Sequence, residues 1–330
     1  MRLFSLLLVT IMLPFLTFAQ TVDEWGKVYS YYRQMMTYDK DTTAEAVIIF
    51  DVGDIAVSYD DGQYIFQHHR RIKLLKESSL SRGSIKIPYY TGNNLEILRN
   101  IRAQAITPDG KKIALSKKDF YRERNTEGYS YMNFAIPNLS PGTIIEYKYE
   151  ILSKDVVELR EWYFQHDIPV IYSSLKMTAP VLLPYIYLFQ GSEFLTKMDD
   201  GSYRFHDDGK LKVEPGFYEM WNAPAVKEEA YMTSYNDYRA RIRFQLEKVL
   251  GKNAGAYQEQ YYVKQEMLSS WGNLAKKLED LPLFGQQYLK KRNYKDLSAF
   301  LTPMLTSAEN QREKAKIIYD HLASNIELNR

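Results

Sequence analysis

Residues 145–151 read Ile145-Glu146-Tyr147-Lys148-Tyr149-Glu150-Ile151. Apolar and aromatic side chains take the odd positions and charged ones the even positions, the period of two that sends alternate residues to opposite faces of a strand. One face is expected in a core. The other, Glu146, Lys148 and Glu150, is expected in water. Ser140-Pro141-Gly142 precedes this strand and closes a turn after a second run, Tyr131 to Ile136.

The pattern extends in both directions. Ala46 to Phe50 and Ile55 to Tyr59 lead into Asp60-Asp61-Gly62, a turn sequence, and a long run from Tyr64 to Lys76 follows. Ile97 to Ile106, the turn Pro108-Asp109-Gly110 and Lys111 to Leu115 read as a hairpin. Later runs lie at Ser174 to Thr178, Tyr185 to Phe189, Tyr203 to Phe205 and Ala240 to Leu246. Many short strands punctuated by Gly and Pro, without helices between them, predict a mainly β fold: a large antiparallel β-sandwich over residues 20–250. Residues 251–256, Gly251 to Ala256, are small and polar and read as a linker. From 257 to 330 the chain reads as a small α-helical segment, with helices near Trp271 to Leu278, Leu283 to Lys291 and Leu297 to Leu305. A last helix is expected from a Thr306/Glu309 capping box, with Ala315, Ile318, Tyr319, Leu322 and Ile326 on one apolar face. That uncovered face predicts self-association of the isolated chain.

The 330 residues carry 43 Lys plus Arg against 41 Asp plus Glu, a net charge of +2. That balance gives no field to argue for nucleic acid as a partner. No cysteine is present, which excludes a thiol nucleophile, thiolate metal sites and disulfides within this sequence. At the N-terminus, Arg2, the apolar run Leu3 to Leu13, Pro14, and Thr17 and Ala19 before Gln20 have the layout of a cleaved signal peptide over residues 1–19. The run is shorter than the roughly 20 residues that span a bilayer. Ile168 to Phe189 is broken by Pro169, Pro180 and Pro184, so no integral membrane segment is expected after signal removal. The expectation is an exported protein, periplasmic or secreted.

Motifs for common chemistries are missing: no G-x-S-x-G elbow, H-E-x-x-H, phosphate loop or dinucleotide fingerprint occurs. No catalytic residue, metal ligand set or cofactor is therefore assigned. His68 and His69 are adjacent on a strand and point to opposite faces, while His166, His206 and His321 are isolated. Asp199-Asp200-Gly201 and Asp207-Asp208-Gly209 read as turns, lacking the alternate acidic ligands of a calcium loop. Carboxylate pairs such as Glu158 with Glu161 and Asp119 with Glu123 arise by chance among 41 acids. Tyr29, Tyr31, Tyr32, Tyr89, Tyr90, Trp162, Tyr163 and Phe164 read first as strand packing, with a platform for sugars or a peptide as the alternative.

Ala44 to Asp51, Arg70-Arg71-Ile72-Lys73, Pro88-Tyr89, Ala105 to Lys111, Gly142 to Glu150, Trp162 to Gln165 with Pro169, and Trp221 to Ala225 occur in an order that resembles exported bacterial proteins. In those proteins a β-rich domain of unknown function precedes a transglutaminase-like domain. Ser270-Trp271 through Lys314 to Asp320 and on to Asn325-Ile326 is similar to the helical lead-in of that second domain. The resemblance implies a Cys-His-Asp triad downstream of this lead-in. The sequence ends at Arg330, with no cysteine and no His or Asp that matches the triad. His321 lies in the lead-in helix and is not promoted.

Together these readings predict a non-catalytic exported module that recognises a polysaccharide or protein substrate, or positions a downstream transglutaminase-like domain. The candidate binding residues are Trp162, Gln165, Arg70 and Arg71; as strand neighbours, at least one of the two arginines is expected to be a solvated surface charge. Two alternatives stay open: a fragment of a full-length thiol transglutaminase or cysteine-protease-like enzyme, and a stand-alone glycan- or peptide-binding protein.

Overall fold

A computed structural model describes residues 24–205, 211–230, 232, 234–252, 261–266, 271–280 and 291–325. The signal peptide expected at 1–19 and the turn expected at Asp207 to Gly209 lie outside the described residues. The strands are β1 (Ala46–Ser58), β2 (Gln63–Leu74), β3 (Ser84–Tyr90), β4 (Glu96–Ile106), β5 (Lys112–Ala114), β6 (Tyr121–Arg124), β7 (Tyr129–Ala135), β8 (Ile144–Ser153) and β9 (Trp162–Tyr163). They continue with β10 (Val170–Thr178), β11 (Tyr185–Gln190), β12 (Lys197–Asp199), β13 (Ser202–Phe205), β14 (Leu211–Glu214), β15 (Gly216–Ala223), β16 (Arg241–Leu246), β17 (Lys248–Lys252) and β18 (Tyr261–Glu266). The mainly β class read from the sequence is the observed one.

One eight-stranded sheet dominates, in the order β12-β15-β10-β1-β2-β8-β4-β5. The three-stranded sheets β11-β16-β9 and β3-β7-β6 contribute to the same buried core: Ile87 and Phe134 from one and Trp162, Ile242 and Phe244 from the other join Ile55, Phe66, Tyr147, Ile151 and Leu175 of the large sheet. The pairing is antiparallel except where β10 runs parallel to β1, from Ile48 opposite Val170 to Ala56 opposite Thr178. The hairpin read at 97–115 is β4 paired with β5.

The two runs read at 46–50 and 55–59 are one strand of 13 residues. Asp51-Val52-Gly53-Asp54 has the composition of a turn, yet it stays extended between β2 and β10. Gly53 is required by packing, because a Cβ there would lie 2.6 Å from the Trp162 ring. The register of β1 against β2 shifts between Ile48 and Phe50, so Ile49 and Phe50 both join a second apolar cluster with Ile106 and Ile144.

That second cluster corrects the expected wet face of β8, since Glu146 is fully buried. Residues 24–41, including the short helix Ser30–Gln34, lie across part of the large sheet's outer face and cover it. Val28 and Tyr32 pack on the Phe50 cluster, and Met35 and Tyr38 pack with Val47, Leu75 and Ile171.

The first compact unit runs through Gln265 and the second from Glu266. The linker expected at 251–256 begins inside a strand, since Gly251 and Lys252 end β17; residues 253–256 lie outside the described residues. In the second unit the helices are Trp271–Asp280, Lys291–Met304 and Gln311–Asn325. The helix read at 283–291 falls almost wholly outside the described residues, with Lys291 opening the second of these. The last helix is capped by Asn310 rather than Thr306: Glu313 N donates to Asn310 Oδ1 at 3.0 Å, and Glu309 N donates to Glu313 Oε2 at 2.8 Å. Thr306 instead donates back to Pro303 O, finishing the preceding helix. Tyr319 and Leu322 are exposed. No helix among the described residues is long and apolar enough to cross a membrane.

Candidate binding face and the buried charge networks

The four residues singled out from the sequence are all held inside the first unit. Trp162 is buried against Phe66 and His68, and its Nε1 donates to Ser173 Oγ at 3.1 Å. Gln165 is buried and clamps two backbone segments, accepting from Ala240 N and donating to Pro224 O. Neither meets solvent, so neither is a ligand platform. Arg70 and Arg71 face opposite ways as expected, but neither is a solvated surface charge. Each closes a separate ion pair on its own side of the sheet.

On the core side, Arg70 holds Asp51 through Nε to Oδ1 at 2.9 Å and Nη2 to Oδ2 at 2.6 Å. His68 Nε2 lies 2.6 Å from Asp51 Oδ1, and its Nδ1 lies 2.9 Å from the Tyr149 hydroxyl. His166 Nε2 is 2.8 Å from Asp51 Oδ2 and 3.2 Å from Arg70 Nη2. Burial alone would raise the Asp51 carboxyl; Arg70, His68 and His166 outweigh it and hold it well below the usual carboxylate range. Burial, reinforced by Arg70, pushes the His166 imidazole down to about 4. Burial likewise lowers His68, against the pull of Asp51. The network therefore carries one carboxylate, one guanidinium and two neutral imidazoles at neutral pH.

On the outer side, Glu146 accepts from Arg71 Nη2 at 2.5 Å, His69 Nε2 at 2.9 Å, Gln104 Nε2 at 2.5 Å and Gly26 N at 2.9 Å. Arg71 also donates to the carbonyls of Lys27 and Glu24, and its guanidinium lies over Phe50. Lys73 donates to Arg33 O and Gly142 O, both at 2.7 Å. Burial lowers its ammonium to about 8. This network is completed by backbone groups of residues 24–33, a segment remote in sequence from the strands it covers.

Both buried carboxylates have their acceptor oxygens taken up by internal donors, the condition under which buried charge is tolerated, while Arg71 Nε is buried without a partner. Among the described residues no group of three or more His, Cys, Asp or Glu is placed to hold a metal ion. A cleft of about 450 Å³ opens between Asp41, Glu45, Lys76, Asp167 and Lys227. Arg82 already bridges Glu45 and Asp167 at its edge.

The remainder of the large sheet's outer face is open. On it β15 places Phe217, Glu219 and Trp221, β10 places Tyr172, Ser174 and Lys176, and β1 places Val52 and Asp54, in cross-strand rows. Trp221 is 43% exposed and packs on Tyr172 with ring centroids 4.4 Å apart. The Tyr172 hydroxyl donates to Glu219 at 2.9 Å, and Lys176 pairs with Asp54 at 2.8 Å. This face combines an exposed indole, held by its neighbour, with acceptors and donors at fixed spacing. The sequence does not single it out, because the neighbour that holds the Trp221 indole, Tyr172 on β10, lies 49 residues away in the chain.

Residues 60–206 match a known family model. It is described as "Domain of Unknown Function with solved-structure structure" (DUF3857) and covers less than half of the 330 residues. None of the curated proteins matches the chain. Among solved structures, the chain is similar to a "putative protease" from Parabacteroides distasonis ATCC 8503, with 16% identity and a TM-score of 0.58, over 86% of this chain and 51% of that one. That likeness shows the fold, and the chain spans about half the length of that structure. Native yeast LTA4 hydrolase aligns at 13% identity with a TM-score of 0.30, over 68% of this chain and 33% of the other, too loose a match to carry an argument.

Proposed function

We propose that this chain is a non-catalytic, exported β-sandwich module, periplasmic or secreted, that presents a polymeric substrate to a partner domain of the transglutaminase-like kind. The observation that carries the reading is the open outer face around Trp221. An exposed indole packed at a tilt on a tyrosine that is itself tied to Glu219 offers apolar area with polar handles at its rim, the combination that holds a sugar ring. The buried networks support a structural role for Arg70, Arg71, Asp51 and Glu146, since each already has its partners inside the fold. The absence of cysteine leaves this sequence without the nucleophile that transglutaminase-like chemistry uses.

The test is binding of the purified chain to insoluble polysaccharides, with immobilised unfolded protein as the competing arm. Retention on polysaccharide by the wild type and its loss in Trp221→Ala supports the reading. Equal retention of both proteins on either polymer overturns the assignment to this face.

A further inference from the structure

Arg239 differs from five other enclosed arginines of this unit. Arg70, Arg71, Arg82, Arg160 and Arg241 each close an ion pair with a carboxylate: Asp51, Glu146, Glu45, Glu96 and Glu161 respectively. Arg239 follows the short helix Tyr235–Tyr238 and is partly enclosed, yet no described carboxylate pairs with it. Its guanidinium carbon lies 3.8 Å from the centroid of the Tyr163 ring and 5.1 Å from that of Tyr235. Its Nε is buried without a hydrogen-bond partner, as are those of the ion-paired Arg71 and Arg160, and the Tyr235 hydroxyl lies against the guanidinium.

The surrounding charge makes the position worse for a lone cation. Burial lowers the Arg239 guanidinium below its ordinary value, and Arg70 adds to the effect. Asp51, the carboxylate of the adjoining network, is taken up by Arg70, His68 and His166. Asp167, which acts on Tyr235, is engaged by Arg82 at 2.7 Å. A guanidinium flanked by aromatic rings keeps its planar edge for a forked acceptor, the geometry that matches carboxylate and phosphate. What is buried is its Nε, whose hydrogen bond is unmet, so an acceptor that reaches the edge of the guanidinium would be favoured there.

We infer that Arg239, held by Tyr163 and assisted by the Tyr235 hydroxyl, is the anchor of an oxyanion-binding site that takes a carboxylate or phosphate group of a ligand. The inference is independent of the open face around Trp221. The probes are sodium acetate and inorganic phosphate, titrated separately at constant ionic strength into the 15N-labelled full chain while the arginine Nε–H resonances are followed. The expected result is a saturable shift of the Arg239 resonance with at least one probe. The same anion should bind at least tenfold more weakly to Arg239→Lys and Tyr235→Phe, and unchanged to Arg122→Met, a control on β6. The better of the two anions tells a carboxylate ligand from a phosphate one. Arg239→Met, which removes the charge, should raise the melting temperature in anion-free buffer and abolish its dependence on the anion. No saturable shift with either probe, or equal affinity in wild type and Arg239→Lys, overturns the assignment, and these readings do not require Arg239→Met to fold.

Discussion

Four consecutive residues, His68-His69-Arg70-Arg71, build two different interiors. His68 and Arg70 converge on Asp51 on the core side, and His69 and Arg71 converge on Glu146 on the outer side. The composition is the same, one carboxylate with an arginine and an imidazole. The closure is not. The core-side cluster is completed by side chains, His166 and Tyr149, within the sandwich. The outer cluster is completed by the backbone of residues 24–27, which removes the charges from water only when that segment is in place. The alternation of a strand thus doubles one sequence motif into two networks with separate vulnerabilities.

The largest effect is expected from removing either carboxylate. Glu146→Ala and Asp51→Ala each strand a buried guanidinium, at about 3–5 kcal/mol by chemical denaturation. Glu146→Ala should cost more, since the Arg71 side chain is 1% exposed and that of Arg70 20%. Equal and small losses would show that both sites admit water. Only Glu146→Ala should also speed amide exchange at Gly26, whose N–H loses its acceptor.

Acid separates the two networks next. His166 has a folded pKa of about 4, below the ordinary 6.5, so the unfolded chain takes the proton first. The sign follows: stability is intact above about pH 6.5 and falls by on the order of 2–3 kcal/mol as pH drops towards 4. His166→Gln should flatten that part of the stability curve. A curve of unchanged slope in the variant would show that the imidazole is not held neutral by the fold.

A smaller cost is expected at Gly53, where a Cβ must push the packed Trp162 ring. Gly53→Ala should lose about 1–3 kcal/mol and quench the burial of the indole, read as a red shift of tryptophan emission. Unchanged stability would mean that the ring has room to move. Smallest of all, Trp221→Ala on the open face should change stability by no more than about 0.5 kcal/mol, because its side chain covers little core.

Much of the fold was legible in the sequence, and for a reason that the two networks make plain. Ile145, Tyr147, Tyr149 and Ile151 mark one face of β8 whatever else the chain does, and the hairpin around Pro108-Asp109-Gly110 is set by local turn chemistry. The fate of Glu146 is not local. It depends on Gly26, 120 residues earlier, and a charged residue on a strand reads as wet until that cover is known. Asp51-Val52-Gly53-Asp54 misled for a related reason: Asp51 is acidic because Arg70 and His68 wait for it, and Gly53 is bare because Trp162 fills its place. The candidate site was legible only as residue types. Aromatic enrichment was plain, but Trp162 turned out to be packing and Trp221 to be exposed, a distinction that strand order alone decides.

The central claim is that the buried charges hold the sandwich together while the open face does the binding. The most direct measurement is the binding isotherm on insoluble polysaccharide of wild type, Trp221→Ala and His166→Gln at neutral pH, each first shown to be folded. The account predicts that Trp221→Ala loses at least tenfold in affinity while His166→Gln binds as the wild type does. Loss of binding in folded His166→Gln with full retention in Trp221→Ala would contradict it.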